Sequence, residues 1–113
     1  MPYIEIKTNI DINVDKRREL TAILGERITV FPGKTERWLM TSVTGGLDMT
    51  FAGSDEPCIM AQVSIFGSAK PETYEKMTAV LCEELSSALG VDGSRIYVKY
   101  EECSLWGWNG ANF

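Results

Sequence analysis

Histidine is absent from the 113-residue sequence. The side chain that usually moves protons near neutral pH is therefore missing, and any such chemistry needs another group. Cysteine is scarce: Cys58, Cys82 and Cys103 are odd in number and widely spaced. That argues against a disulfide framework and, without histidine, against a zinc site. Reduced thiols in a cytoplasmic protein are the expectation. No apolar run approaches the ~20 residues of a membrane-spanning helix. No basic block is longer than Lys16-Arg17-Arg18, and 16 Asp and Glu outnumber 11 Lys and Arg, for a formal charge of -5. This composition speaks against nucleic-acid or anionic-membrane partners. The alternation of Tyr3-Ile4-Glu5-Ile6-Lys7 is unlike the continuous apolar stretch of a signal peptide, so any export would use another route.

What the sequence does have is Met1-Pro2. If Met1 is trimmed, as a small second residue normally permits, Pro2 presents a secondary amine with its lone pair held by the ring. An α-amino group titrates near pH ~8. Apolar surroundings or a nearby cation would disfavour its protonated form and bring it towards neutrality, where it could act as a base. Taken alone, the dipeptide is simply how a chain starts.

The length and 44% hydrophobic content predict one domain over residues 1–113. Tyr3 to Thr8 alternates with period two and reads as a strand that begins at the N-terminus. Asn13 or Asp15 can cap a helix carrying Leu20, Ile23, Leu24, Ile28 and Phe31, which Pro32-Gly33 stops. Trp38 to Thr44 is β-rich. Cys58 to Phe66 is apolar on both parities, as in a central strand. Pro71 suits the first turn of a second helix, Tyr74, Met77, Leu81, Leu85 and Ala88 form its stripe, and Gly90 suits a left-handed stop. Arg95 to Tyr100 is again a strand, with Tyr97 and Lys99 sharing a face.

The pattern is a duplicated β-α-β unit: α/β (α+β), with a four-stranded mixed sheet and two helices on one face. Met60, Val63 and Ile65 cannot all point at helices, so a symmetric partner is expected to cover the remaining face.

These pieces resemble the macrophage migration inhibitory factor family of the tautomerase superfamily. The matching residues are Met1-Pro2, Thr8-Asn9, Gly33-Lys34, Met49 with Phe51, Gly53-Ser54 leading to Glu56-Pro57-Cys58, Arg95-Ile96-Tyr97, and Gly107-Trp108-Asn109 with Phe113. The resemblance implies a homotrimer with active sites at subunit interfaces, and keto-enol tautomerisation of phenylpyruvate-like arylpyruvates or dopachrome-type substrates, without a cofactor. It implies Pro2 as the catalytic base and Lys34 as the anchor for the substrate carboxylate. The Phe66 backbone N–H would contact substrate, and Tyr97 and Lys99 would reach in from a neighbouring subunit. Trp38, Trp106, Trp108 and Phe113 would wall the pocket. Cys58 is followed by Ala61, which breaks a Cys-x-x-Cys motif and disfavours a thiol-disulfide role. Lys99 and Trp106 stand where the family often has asparagine and a small aliphatic residue.

Other readings are weaker. Gly33-Lys34-Thr35 ends like a phosphate-binding loop, but the motif's first glycine would fall on Ile28. Asp48, Asp55, Glu101 and Glu102 read better as solvated turns than as a glycosidase pair. Beside the tautomerase stand two alternatives: a signalling protein that engages a receptor, and a relative using Pro2 as a nucleophile on another carbonyl or unsaturated acid.

Overall fold

The computed structural model describes residues 1–113. Its elements in chain order are β1 (Pro2–Thr8), α1 (Val14–Arg27), β2 (Met40–Thr44), β3 (Ile59–Phe66), α2 (Pro71–Leu89), β4 (Ile96–Cys103), β5 (Gly107–Trp108) and β6 (Ala111–Asn112), with short 3-10 turns at Ile28–Val30, Glu36–Trp38 and Gly93–Arg95. The first four strands form one sheet in the order β2-β1-β3-β4, and β5-β6 make a small C-terminal hairpin. β1 runs parallel to β2 and antiparallel to β3, and β3 runs parallel to β4. Each β-α-β half thus supplies one parallel pair, and the two halves join antiparallel at the centre.

Local chemistry explains the helix ends. The Asn13 Oδ1 accepts from the Lys16 N–H at 2.8 Å, which occupies an otherwise unpaired donor of α1. α2 has Pro71 in its first turn and stops at Gly90, whose φ of 68° lies in the left-handed region that glycine enters without a Cβ clash. No helix is long and apolar enough to cross a membrane.

One core cluster joins Ile4 and Ile6 of β1, Ala61, Val63 and Ile65 of β3, Leu20 and Leu24 of α1, and Met77, Leu81 and Leu85 of α2. Both helices therefore lie on one face of the sheet. Val63 and Ile65 belong to that covered face and Met60 does not, in keeping with the expectation that the three cannot all point at the helices. Side chains of β3 alternate, so Met60, Gln62, Ser64 and Phe66 take the other side, where Ser64 is also buried. The register places Glu5, Ser42, Gln62 and Lys99 in one row of the open face, with Lys7, Thr44, Met60 and Tyr97 in the next. That face is largely polar, so apolar exposure gives no argument for a partner there.

Two further expectations shift. Trp38 closes a 3-10 turn instead of opening a strand, and β2 starts at Met40. β4 continues past Tyr100 to Cys103, so Glu101 and Glu102 are strand residues on opposite faces and not turns. The Tyr74 hydroxyl donates to Glu102, and Tyr100 shares a 2.7 Å hydrogen bond with Thr78, tying β4 to α2.

Candidate active site

The site grows from the free end of β1. Pro2 aligns with Ile65 of β3 and, lacking an N–H, suits the first position of a strand. One residue further out, the Phe66 N–H donates to the Met1 carbonyl at 3.0 Å, which continues the ladder past the strand. The Phe66 carbonyl accepts from Lys34 Nζ at 3.4 Å. One residue of β3 therefore holds both the N-terminus and the lysine through its own peptide groups.

The chain turns sharply to deliver Lys34. Gly33 has a φ of 78°, and the Lys34 N–H closes a turn onto the Phe31 carbonyl at 3.1 Å, with Phe31 buried in the core. The Met1 amine is pushed below its ordinary value of 8.0, first by its partial burial, then by the charge and hydrogen bonding of Lys34. In the full chain the Pro2 nitrogen is a peptide nitrogen, so the basic lone pair at this place belongs to Met1.

Aromatic rings continue from there. Phe66 lies 5.7 Å from Phe113, Phe113 stacks on Trp108 at 6.1 Å and 15°, and Trp108 meets Trp38 edge-on at 5.1 Å. The C-terminal hairpin brings these rings round, with the Phe113 N–H donating to the Trp106 carbonyl at 3.0 Å. Beside this wall opens a cleft of about 720 Å³, lined among others by Met1, Pro2, Trp38, Trp106 and Trp108. Such a volume suits a small organic ligand with an aromatic part. A second cavity of about 430 Å³ lies between Pro32, Lys34, Ile65, Ser68 and Lys70, so Lys34 faces that side of the N-terminus while the tryptophans face the other.

Pro2, Lys34, Phe66, Trp38, Trp106, Trp108 and Phe113 thus gather at one end of the molecule. Tyr97 and Lys99 do not. Ile65, the partner of Pro2, aligns with Glu102, five residues beyond Tyr97, a separation of roughly 16 Å along the strand. Tyr97 is exposed and packs edge-on against Phe51 at 4.8 Å. Phe51 in turn lies 5.3 Å beneath the Arg95 guanidinium, which donates to the carbonyls of Phe51, Ser54, Glu56 and Pro57. Asn9 ties the same loop from the other side: its amide donates to the Asp55 and Glu56 carbonyls, and its Oδ1 accepts from the Cys58 N–H at 3.0 Å. These contacts give Asn9, Glu56 to Cys58 and Arg95 a shared task, that of shaping the support of Tyr97.

Sequence reasoning passed over several lining residues. Tyr3, Met40, Ser64 and Glu101 occupy one row of the open face and border the cleft, as do Arg37 and Cys103. Strand register was the signal that could have found the row; Arg37 carries no signal of its own. Cys103 donates its thiol to Glu101 at 3.3 Å, and this contact, with the charge of Glu101, pushes the thiol up and keeps it protonated. No three Cys, Asp or Glu side chains group closely enough to hold a metal ion.

A duplicated β-α-β sheet whose N-terminal amine opens beside an aromatic cleft has the architecture of the tautomerase superfamily. The macrophage migration inhibitory factor family model matches residues 1–113, and the chain belongs to that family. The Brugia malayi macrophage migration inhibitory factor homolog is 30% identical over 118 residues, covering 100% of this chain and 99% of that protein. The Trichuris trichiura homolog is 28% identical with both chains covered at 100%. Among solved structures, Leishmania major MIF2 superposes with a TM-score of 0.93 at 29% identity, over 100% of this chain and 97% of that one. The homologue from Prochlorococcus marinus gives 0.81 at 31% identity, with 98% of each chain covered.

Proposed function

We propose that this protein is a keto-enol tautomerase of phenylpyruvate-like arylpyruvates, using the Pro2 amine as general base once Met1 is removed. The observation that carries the reading is the place of the chain's N-terminal end, which lines the aromatic cleft and lies against the lysine held at the Phe66 carbonyl; burial and Lys34 both disfavour a protonated amine there. Trimming moves the amine from Met1 to Pro2, one residue along the same strand end and still at the cleft.

The reaction moves a proton between the carbon next to a carbonyl and the carbonyl oxygen. It needs a base at the carbon, a donor at the oxygen and an anchor for the carboxylate. Pro2 is the base. Lys34 anchors the carboxylate, and the Phe66 N–H, which the Met1 carbonyl holds in the full chain, becomes a free donor for it. The rings of Trp38, Trp108 and Phe113 flank the aryl group and lower the local dielectric. Tyr97 and Lys99 are too far along the sheet to serve their own chain's site, so in this reading they come from a neighbouring subunit of a homotrimer. The protein works in the cytoplasm and needs no cofactor.

The test is the ketonisation rate of enol-phenylpyruvate with protein whose trimmed N-terminus is confirmed by intact mass, beside Pro2→Gly. Turnover that the substitution lowers by about 100-fold or more supports the base assignment. No turnover above background with a free Pro2 sinks the arylpyruvate reading and turns attention to receptor binding or to another carbonyl substrate.

A further inference from the structure

We infer that Arg37 makes the cleft selective for aryl α-keto acids that carry a second acidic group at the far end of the ring. The inference rests on the tautomerase reading and adds a substrate class to it. Arg37 is the one lysine or arginine among the residues lining the larger cleft. Its guanidinium sits 5.2 Å from the centroid of Trp38, the ring that meets Trp108 edge-on. The cation thus lies over the ring at the end of the aromatic wall.

It also has no partner. The three ion pairs of the molecule use Lys7, Lys16 and Arg27, and no side-chain hydrogen bond involves Arg37. An unpaired surface arginine is ordinarily a solvated charge, but this one borders a cleft of about 720 Å³, of which phenylpyruvate fills only a part. Pro2, Trp108, Trp38 and Arg37 all line this one cleft, so a ligand whose reacting carbon lies at Pro2 extends its ring along the tryptophans and brings its distal substituent to the guanidinium. A planar carboxylate there matches the fork of donors.

Glu101 borders the same cleft and carries the opposite charge. Its carboxylate is occupied by the Cys103 thiol at 3.3 Å, and it repels a second anion from its own side. The two charges together direct a distal acid towards Arg37, and they give the proposal two handles of opposite sign.

The experiment compares kcat/KM for phenylpyruvate and para-carboxyphenylpyruvate using processed wild type, Arg37→Gln, Arg37→Lys and Glu101→Gln. The expected result is a five- to tenfold preference of the wild type for the dicarboxylate, the range of a partly exposed, well-oriented pair, shrinking with added salt. Arg37→Gln abolishes the preference, Arg37→Lys keeps part of it, and Glu101→Gln increases it. Turnover of both substrates at a ratio that Arg37→Gln leaves in place overturns this inference alone. No turnover of either by the processed wild type overturns the tautomerase reading and this inference with it. Since Arg37 is exposed, its variants fold, and circular dichroism confirms that before rates are compared.

Discussion

The Met1 carbonyl accepts a 3.0 Å hydrogen bond from the Phe66 N–H, extending the antiparallel β1-β3 ladder by one residue beyond Pro2. Met1 therefore lines the cleft, lies beside Lys34 and occupies the backbone donor that the proposed reaction assigns to the substrate carboxylate. Its removal changes two things at once, the chemistry of the Pro2 nitrogen and the availability of the Phe66 amide.

A pH profile follows from the lowered amine. With burial and the Lys34 charge both disfavouring a protonated amine at this place, kcat/KM of the processed protein rises with pH along a limb that lies below the pH at which the same amine would titrate in free solution. Replacing Lys34 with Gln removes the neighbouring cation, so the limb moves to higher pH while KM for the arylpyruvate rises. Protein that retains Met1, verified by mass, loses about 100-fold or more in rate, because its Pro2 nitrogen is a peptide nitrogen.

The loop around Phe51 to Cys58 depends on two residues. Arg95→Ala removes donors from four carbonyls and the cation over Phe51. A cost of about 1–3 kcal/mol is expected from denaturant midpoints at constant m. Asn9→Asp keeps the acceptor for the Cys58 N–H but turns the donor to the Asp55 and Glu56 carbonyls into a repelling oxygen. It should destabilise by about as much and leave Lys34 and the tryptophans in place.

Tyr74 gives a stability signature at alkaline pH. Loss of solvent, then its hydrogen bond and proximity to Glu102, raise the phenol to about 12 from an ordinary 10.0. Because the folded value is the higher one, the contribution to stability is complete below pH 10 and is lost as pH rises towards 12. The difference in denaturation midpoint between wild type and Tyr74→Phe should stay constant up to pH 10 and shrink above it. An ultraviolet titration of the native protein should show a tyrosine that ionises late and that Tyr74→Phe removes.

Gly25 and Glu36 are coupled. A Cβ on Gly25 would overlap Glu36 Oε2 and lie 2.6 Å from its Cδ, so an alanine must displace that side chain from the turn that carries Arg37 and Trp38. Gly25→Ala gains about 1 kcal/mol of helix propensity and loses part or all of it to this overlap. In Glu36→Ala the obstacle is gone, so the same alanine stabilises. A double-mutant cycle on thermal midpoints should give a favourable coupling energy for the pair of alanines.

Where periodicity was strong and the punctuation clear, the sequence predicts the elements well. α2 begins at Pro71 and stops at Gly90, and β1 and β3 lie within a residue or so of their expected bounds. The failures have physical causes. A β-rich composition at Trp38 was overridden by the 3-10 turn that closes Leu39 N–H onto the Glu36 carbonyl. Glu101 and Glu102 look like loop residues, yet pairing with Ser64 and Ile65 extends β4 through them. The two-residue strands β5 and β6 are too short for any periodicity, and Asn109 with a φ of 51° turns between them. Which face of β3 met the helices was ambiguous because both parities are apolar, and only packing against Met77, Leu81 and Leu85 decides it. Of the site, the family resemblance gave the residues that gather at the N-terminal end. Arg37 and the row from Tyr3 to Glu101 needed the register of the sheet.

Pro2 and Tyr97 lie at opposite ends of the same sheet, which has a consequence for mixtures of chains. When sites form between subunits, one Pro2→Gly chain and one Tyr97→Phe chain each carry the half that the other lacks. Two preparations that are defective alone then regain a fraction of activity after being unfolded together and refolded, in proportion to the junctions at which an intact Pro2 faces an intact Tyr97.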